Sequence, residues 1–422
     1  MRALWTLALS GLWFADARRS STPKERGPRK APRPPHHHNA TTWGPLQQAL
    51  DGWLLTENFG LVVGNASGKP LLSYTHGNFS LHTVVETAST SKWPIAMMFA
   101  GMVDDGTISS LDALASDYVP WWSKDTSCQN ASACDAKGNV TVRQLLSFTS
   151  GFDDGDTAGG GGGDDDDGST CLDDEHYLLG YDACARETYN LYNLSGAPGA
   201  TWTYNSLHLQ LMGAVAHHAS GLGIQAIVDK YLRKAYGLNE TWCGGPSNPR
   251  NPEMAVCLQT TGADYQKFLA AQLTASVLSP AMVAESEKSH NDFDKGGYQL
   301  YGLYGFGHFL ECFDSADGFT DACAAAQVHA DPGAYGYYPL IDRRHGYYLQ
   351  LVAYETNEFY PRSGIPEYLR QLVKPLVDAV MRGDDPSSNE QRFEHHTAEF
   401  NGLSMVDVNY ITDCFVNPKH CE

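Results

Sequence analysis

"VETASTSKWPIAMMFAGMVDDGT", running from Val85 to Thr107, decides how the rest of the chain is read. Ile95, Met98, Phe99 and Met102 fall at i, i+3, i+4 and i+7, the apolar stripe of a core-facing helix. The methionines read as core filler, not as ligands. Ahead of that stripe stand Ser89 and Lys92, three residues apart at the helix start. A serine hydroxyl is a poor nucleophile until a base takes its proton. A lysine one turn on can be that base when burial or a neighbouring cation lowers its pKa. The helix start also aims backbone N–H groups at the serine, which favours the oxyanion formed when an acyl group is attacked. Spacing alone is cheap, because Ser21 and Lys24 repeat it in a stretch without helical periodicity. The surroundings have to give the pair its meaning.

With 422 residues, 42% hydrophobic and 11% aromatic, the chain has an ordinary globular composition and length for one large domain or two small ones. Its formal charge of -20 argues against nucleic acid, whose phosphates require a basic face. Residues 1–17 read as a signal peptide: a basic Met1-Arg2, an apolar Ala3 to Phe14 and an Ala15-Asp16-Ala17 cleavage site. That run is too short to span a bilayer, and no later stretch approaches the ~20 apolar residues a span needs. A secreted or secretory-pathway protein is therefore expected. Two further features agree. The 10 cysteines fall into local couples, Cys128/Cys134, Cys171/Cys184, Cys243/Cys257, Cys312/Cys323 and Cys414/Cys421, which suit disulfide staples in an oxidising compartment. Nearest-neighbour pairing is the favoured reading among the many that sequence alone allows. N-glycosylation sequons stand at Asn39, Asn65, Asn78, Asn130, Asn139, Asn193 and Asn239.

Along the chain, residues 18–42 are basic, Pro-rich and poor in large apolar groups, which predicts a disordered lead-in. Its His36-His37-His38 run reads as polar linker. A folded domain is expected over 43–383, opening with a helix in "WGPLQQALDGWL" and two strands, "FGLVVGN" and "KPLLSYTHG". Helical segments are expected around 207–236, a strand at "YYLQLVAYE" and a long helix at "IPEYLRQLVKPLVDAVMRG". "DDGDTAGGGGGDDDDGS", 153–169, lacks EF-hand spacing and any nonapeptide repeat, so it reads as a flexible solvated insertion and not a calcium site. Residues 384–422 form a polar extension. No G-x-S-x-G elbow, H-E-x-x-H or Walker-type loop occurs, and no CxxC supports a zinc or redox site.

Two further stretches join the first. "VTVRQLLSFTSGF" (Val140 to Phe152) and "PGATWTYNSLHLQLMG" (Pro198 to Gly213) follow it in order. Together they resemble the serine β-lactamase and penicillin-binding-protein superfamily, in particular the class C β-lactamase-like esterases and D-amino peptidases, over roughly 43–383. The first resembles the family's L-L-S-H-T-S-G element, with Phe148 where His is usual. The second resembles P-G-x-x-F-x-Y-S-N-x-x-x-x-L-L-G. The resemblance implies an α+β, β-lactamase/transpeptidase-like fold, an antiparallel sheet flanked by helices with a helical lobe. It implies Ser89 as nucleophile, Lys92 as its partner and Tyr204 as a phenol that shuttles the proton, its pKa lowered by Lys92. Ser91 also neighbours Lys92, but register favours Ser89.

Departures from the family pattern stand beside the matches. The family's Y-x-N ends in Asn, whereas this chain reads Tyr204-Asn205-Ser206; Ser206 is left to face substrate and Asn205 is expected to point away. The family's K-T-G or H-x-G triplet finds its best match in "VHADPGAYG", giving His329-Ala330-Asp331, with His308 in "YGFGHF" a rival for the histidine. In the family, the N–H just after that triplet is the second oxyanion donor. Here that residue is Pro332, which has none, so either the register is off by one or two and Gly333 is the donor, or the enzyme is impaired. The expectation is a cofactor-free, metal-free serine hydrolase that acts on a small-molecule or peptide ester or amide. The competing expectation is a catalytically silent binding or scaffold protein of the same fold.

Overall fold

Alternation along the central strands gives one sheet a hydrophobic core on each face. Strand β1 (Phe59–Asn65) pairs antiparallel with β2 (Pro70–His76) on one side and with the last strand, Tyr347–Ala353, on the other. Phe59, Leu61 and Val63 face one core with Tyr347, Leu349 and Leu351, whereas Val62, Tyr348 and Val352 face the other. Burial on both faces explains why the last strand is buried at every position and reads as a continuous apolar run. The computed structural model describes residues 40–128, 136–153, 180–244, 250–291, 303–311, 325, 327–354, 364–387, 389–391 and 393. All lie in one compact unit, His38–Glu422.

The chain order is α1 (Gly44–Asp51), β1, β2, β3 (Val85–Glu86), α2 (Lys92–Asp104), α3 (Val142–Leu146), α4 (Tyr181–Leu191), α5 (Leu207–Ser220), α6 (Ile224–Ile227) running into a π-helical turn (Val228–Lys234), β4 (Trp242–Cys243), β5 (Leu258–Thr260), α7 (Gly262–Thr274), α8 (Pro280–Ser286), β6 (Leu303–Tyr304), β7 (Phe309–Leu310), β8 (Val328–Ala330), β9 (Tyr338–Asp342), β10 (Tyr347–Ala353) and a long helix, Gly364–Arg382. Among the described residues the sheet has 7 strands in the order β2-β1-β10-β9-β8-β7-β6, antiparallel throughout, and β3-β5-β4 form a small second sheet. The α+β architecture expected from the sequence is the one found. On one face, α1 and the Gly364–Arg382 helix close a core with Trp53, Leu369, Val373 and Leu376. The other face carries the helical lobe.

Local sequence accounts for several of these boundaries. Thr141 accepts from the Gln144 N–H and Gln144 reaches back to the Thr141 N–H, a capping box that starts α3. Thr261 and Ser279 cap α7 and α8, the latter with Pro280 in its first turn. Helix α2 differs from its amphipathic reading. Every residue from Lys92 to Ala100 is buried, because α2 is apolar almost all round and lies inside the lobe.

Cys243 and Cys257 form the expected disulfide; Cys128 and Cys184 are each disulfide-bonded as well, but not to one another. Cys134, Cys171, Cys312, Cys323, Cys414 and Cys421 lie outside the described residues, as do the leader, the lead-in up to Asn39, the Gly/Asp insertion after Asp153, and the extension beyond 393. Of the sequons, Asn78, Asn193 and Asn239 are exposed, and Asn65 and Asn139 are half-buried. Among the described residues no single helix is long and apolar enough to cross a membrane.

Candidate active site

A strand, a strained residue and a single helical turn build the segment that carries Ser89. Strand β3 leads to Thr87, and Ala88 then takes φ +46°, the left-handed region that side chains with a Cβ rarely adopt. The turn Ala88–Ser91 runs straight into α2. Such a conformation costs on the order of 1–3 kcal/mol and persists only where neighbours over-determine it. Those neighbours are identifiable. Thr87 N–H donates to the Leu258 carbonyl at 3.0 Å, and Ser91 Oγ accepts from Leu258 N–H at 3.0 Å. Tyr265 donates to the Thr90 carbonyl at 3.1 Å. Thr90 Oγ1 lies 2.8 Å from the Asp331 carbonyl and 3.0 Å from that of Tyr337. Ser91, the other serine beside Lys92, is thus fixed in the framework.

Helix α2 has no capping side chain of its own. The Asp331 carboxyl supplies one from across the core, with Oδ2 accepting the Trp93 N–H at 2.9 Å. On the inner side of this turn Lys92 Nζ donates to Ser89 Oγ at 3.0 Å and to the Ala255 carbonyl at 3.4 Å. It also stands 4.6 Å from the centroid of the Tyr204 ring, and Tyr204 is hydrogen-bonded to Ser89. The structure therefore brings Ser89, Lys92 and Tyr204 together. Lys92 is 1% exposed and Ser89 9%, so the hydroxyl sits at the edge of an otherwise closed site.

Burial sets the proton chemistry. It pulls the Lys92 amine down to about 8, against the opposing pull of the Asp331 and Glu253 carboxyls. Tyr204 corrects the sequence reading. Its phenol is pushed up, chiefly by burial and then by Asp331, with only the Ser89 bond opposing, so Lys92 does not convert it to a phenolate. Between the two, Lys92 is the group able to act as a base. Burial also raises Asp331 well above the usual carboxylate range, while the Trp93 N–H and Lys92 oppose it.

The third motif departs further. His329 lies on β8, buried, with Nδ1 3.2 Å from His308 Nε2 and Nε2 3.7 Å from Glu287 Oε2. His308 in turn meets the Phe306 carbonyl at 2.9 Å and stacks on Trp93 at 4.6 Å. The rivals for the histidine role are partners. Burial drives both down to about 3, so each is neutral at ordinary pH. The His329 ring hydrogen-bonds His308 and lies near Glu287, with no bond to Ser89 or Lys92 among the described residues. Gly333 is likewise not the donor expected of it. Its N–H is committed to the Tyr337 carbonyl at 2.9 Å, closing the turn that follows β8.

Asn205 does point away from the site: Nδ2 donates to the Phe152 carbonyl at 3.1 Å and Oδ1 accepts the Leu207 N–H at 3.0 Å. Ser206 follows it, half-buried, at the start of α5. Phe148, which replaces the family's histidine, is buried at φ +61° and stacks on His208 at 4.8 Å. His208 was not singled out by sequence reasoning. It joins two motifs, with Ser150 Oγ at 2.8 Å and the Thr203 carbonyl at 2.8 Å, and burial holds it neutral by pulling it down to about 4. Tyr204 is walled by Trp202, Tyr304 and Phe309 at 6.0, 6.1 and 5.7 Å between ring centroids. Thr90 and Asp331 are the other residues that pattern reading missed as supports. Away from this site, Asp342, His345 and Asp378 bring potential metal-binding atoms within 4.8 Å of one another. Lys374 Nζ already sits 2.9 Å from both carboxylates and supplies the positive charge there.

A sequence model of the Beta-lactamase family matches residues 28–365. No curated protein sequence matches the chain. Among solved structures, unliganded simvastatin synthase (LovD) from Aspergillus terreus is similar at TM-score 0.56 and 15% identity, covering 80% of this chain and 97% of its own. The octameric penicillin-binding protein homologue from Pyrococcus abyssi gives 0.55 at 17% identity, covering 82% and 77%. EstCE1, a hydrolase with promiscuous acyltransferase activity, gives 0.54 at 16% identity, covering 74% and 92%. At these identities the structural likenesses speak for the fold.

Proposed function

Since the chain belongs to the Beta-lactamase family, we propose that it is a serine hydrolase or acyltransferase that acts through an acyl-enzyme on Ser89. The observation that carries this is the 3.0 Å bond between Ser89 Oγ and a lysine that burial brings down to about 8. In the first step Lys92, as the free amine, takes the Ser89 proton while Oγ attacks the substrate carbonyl. The tetrahedral oxyanion forms against the Ser89 N–H. Lys92 then returns the proton to the leaving oxygen, with the protonated Tyr204 phenol as its relay, and the acyl group stays on Ser89. Water or an alcohol enters, gives its proton to Lys92 and carries the acyl group away. The same groups serve both half-reactions.

An ester suits this site better than an amide. Pro332 has no N–H and that of Gly333 is held by Tyr337, so one of the family's oxyanion donors is missing. Loss of one such donor costs on the order of 10²–10³ in turnover, which an activated ester tolerates and an amide does not. The aromatic wall of Trp202, Tyr304 and Phe309 around Tyr204 suits an apolar acyl or alcohol part. The leader, cysteine couples and sequons support secretion and N-glycosylation.

The test is intact-protein mass after exposure to a fluorophosphonate, on deglycosylated protein, with Ser89→Ala in parallel. Displacement of fluoride by Ser89 Oγ predicts one adduct, mapped to Ser89 and absent from the variant. No adduct on well-folded protein refutes the reading and leaves a silent scaffold, for which Pro332 and Asp331 are the evidence.

A further inference from the structure

We propose that Glu86 and the aromatic rings beside it form a binding site for an alkylammonium cation, the positively charged end of the substrate that Ser89 attacks. The role in catalysis rests on the acyl-transfer reading above, whereas the cation site itself does not.

The site is built on the outer face of the small sheet. Glu86 on β3 stands opposite Gln259 on β5, and Gln259 stands opposite Trp242 on β4. Residues paired in this way project to the same face. Their strand neighbours Val85, Thr260, Leu258 and Cys243 are buried, so the row of Glu86, Gln259 and Trp242 is the outward one. Trp242 is 43% exposed, Glu86 is exposed and Gln259 half-buried. Two hydrogen bonds hold the carboxylate in that row. Gln259 Nε2 donates to Oε1 and the Tyr354 hydroxyl to Oε2, each at 3.1 Å. Tyr354, just past β10, is itself 41% exposed and meets the Tyr335 ring edge to face, 5.7 Å between centroids.

Two rings nearly at right angles beside a carboxylate, with an indole at the other end of the row, suit one kind of ligand. Ring faces attract a cation that lies within about 6 Å of the centroid, and the carboxylate adds a full negative charge. An anion is repelled by both, and a neutral apolar group leaves the carboxylate unanswered. The donors that reach Glu86 among the described residues are a neutral amide and a phenol, not a basic side chain. The site is also close to the nucleophile. Glu86 precedes Ser89 by three residues, which holds their Cα atoms within about 11 Å. Tyr335 belongs to the turn that packs on the same segment, where a Cβ at Gly333 would lie 2.2 Å from the Thr87 carbonyl oxygen. A short ester with its carbonyl at Ser89 can therefore reach Glu86 with a cationic tail.

Binding is read first, without any reaction. Tetramethylammonium is titrated into the full chain and followed by saturation-transfer difference NMR of its methyl signal. Glu86→Gln, which removes the charge and keeps the shape, is expected to weaken binding about tenfold. Tyr354→Leu keeps the charge, removes a ring and is expected to weaken it several-fold. Glu57→Gln removes the same charge from an exposed position elsewhere and is expected to bind like the wild type. Equal binding by the wild type, Glu86→Gln and Tyr354→Leu overturns the proposal. So does an equal loss in Glu57→Gln, which is the mark of diffuse attraction by an acidic surface. The substrate role is read from the acetate ester of choline and its uncharged isostere, in which tert-butyl replaces trimethylammonium. The wild type is expected to favour the cationic ester in kcat/KM by about tenfold, and Glu86→Gln to favour neither. A wild type that shows no preference overturns that role. Fluorophosphonate labelling of the wild type separates the two readings. Glu86-dependent binding without labelling keeps the cation site and refutes acyl transfer, and labelling without such binding does the reverse.

Discussion

Gly333→Ala distinguishes a donor from a spacer. As an oxyanion donor, Gly333 would lose nothing on becoming alanine, because alanine keeps its N–H. As a spacer it would lose much. A Cβ at 333 would lie 2.2 Å from the Thr87 carbonyl oxygen and 2.6 Å from Thr90 Oγ1. Ordinary contact needs more than 3 Å, so the turn after β8 has to retreat from the Ser89 turn by about 1 Å. That retreat strains or breaks the bonds from Thr90 Oγ1 to the Asp331 and Tyr337 carbonyls and from Trp93 N–H to Asp331, at 2.8, 3.0 and 2.9 Å. At about 0.5–1.5 kcal/mol net for each, the expected loss of stability is about 2–4 kcal/mol. A 1 Å misplacement of a nucleophile can also cost about 10²-fold in rate. Urea unfolding followed by tryptophan fluorescence measures the first, and the fluorophosphonate labelling rate the second. The spacer reading is refuted if the variant matches the wild type within about 0.5 kcal/mol and labels at the same rate.

Two further outcomes are expected. His208, His308 and His329 are buried with folded values of about 4, 3 and 3, below the ordinary histidine value. The unfolded chain therefore binds more protons than the folded one between about pH 6.5 and 3, and stability falls as pH drops through that window; His208 alone accounts for on the order of 3 kcal/mol between pH 6.5 and 4. Urea midpoints that stay flat from pH 7 to 4.5 would contradict it. Lys92 and Asp331 influence each other inside the core, so the double variant Lys92→Met/Asp331→Asn is expected to cost less than the sum of the two single variants by about 0.5–3 kcal/mol. Additivity within about 0.5 kcal/mol in a urea double-mutant cycle would show that the charges do not meet.

What could be read from the sequence was what lies close together in it. Strands β1, β2 and β10 and the Gly364–Arg382 helix follow from period and turn residues. Ser89, Lys92 and Tyr204 each stand inside a short stretch with its own signature. The stripe of α2 was legible, but its burial on all sides depends on what the other helices cover. Partnerships across the core were not legible. Thr90 meets Asp331 241 residues away, and His308, just ahead of β7, is paired with His329 of the adjacent β8, 21 residues on. Periodicity tells which face of a strand is buried, not what it meets there. The Gly333 amide is the same case. The sequence shows that Gly333, unlike Pro332, carries an N–H, yet only the turn geometry commits that N–H to Tyr337. Tyr204 shows a third kind of gap: proximity to Lys92 was predictable, but the degree of burial that outweighs it was not.

These tertiary partners bear on whether the chain is an enzyme or a silent scaffold. A lysine 1% exposed, bonded to one hydroxyl and one carbonyl, is a poor choice for stability. An apolar residue of similar volume would fill the same space without desolvating an ammonium, and such exchanges of buried ion pairs are often neutral or stabilising. Ala88 at φ +46° adds backbone strain beside it, and Asp331 adds a buried polar group with one carboxyl oxygen lacking a hydrogen-bond partner among the described residues. These costs gather around the Ser89 turn, and of them only the Asp331 carboxyl, which caps α2 through the Trp93 N–H, has a structural return that an apolar core would not supply. A scaffold has no use for the others. A nucleophile has, because only a lysine brought near neutrality by burial can take the serine proton, and only a rigid turn keeps the two 3.0 Å apart. On the proposed reading, the Pro332 departure weakens the oxyanion site without removing the reason for the base, which fits the proposed preference for an ester over an amide.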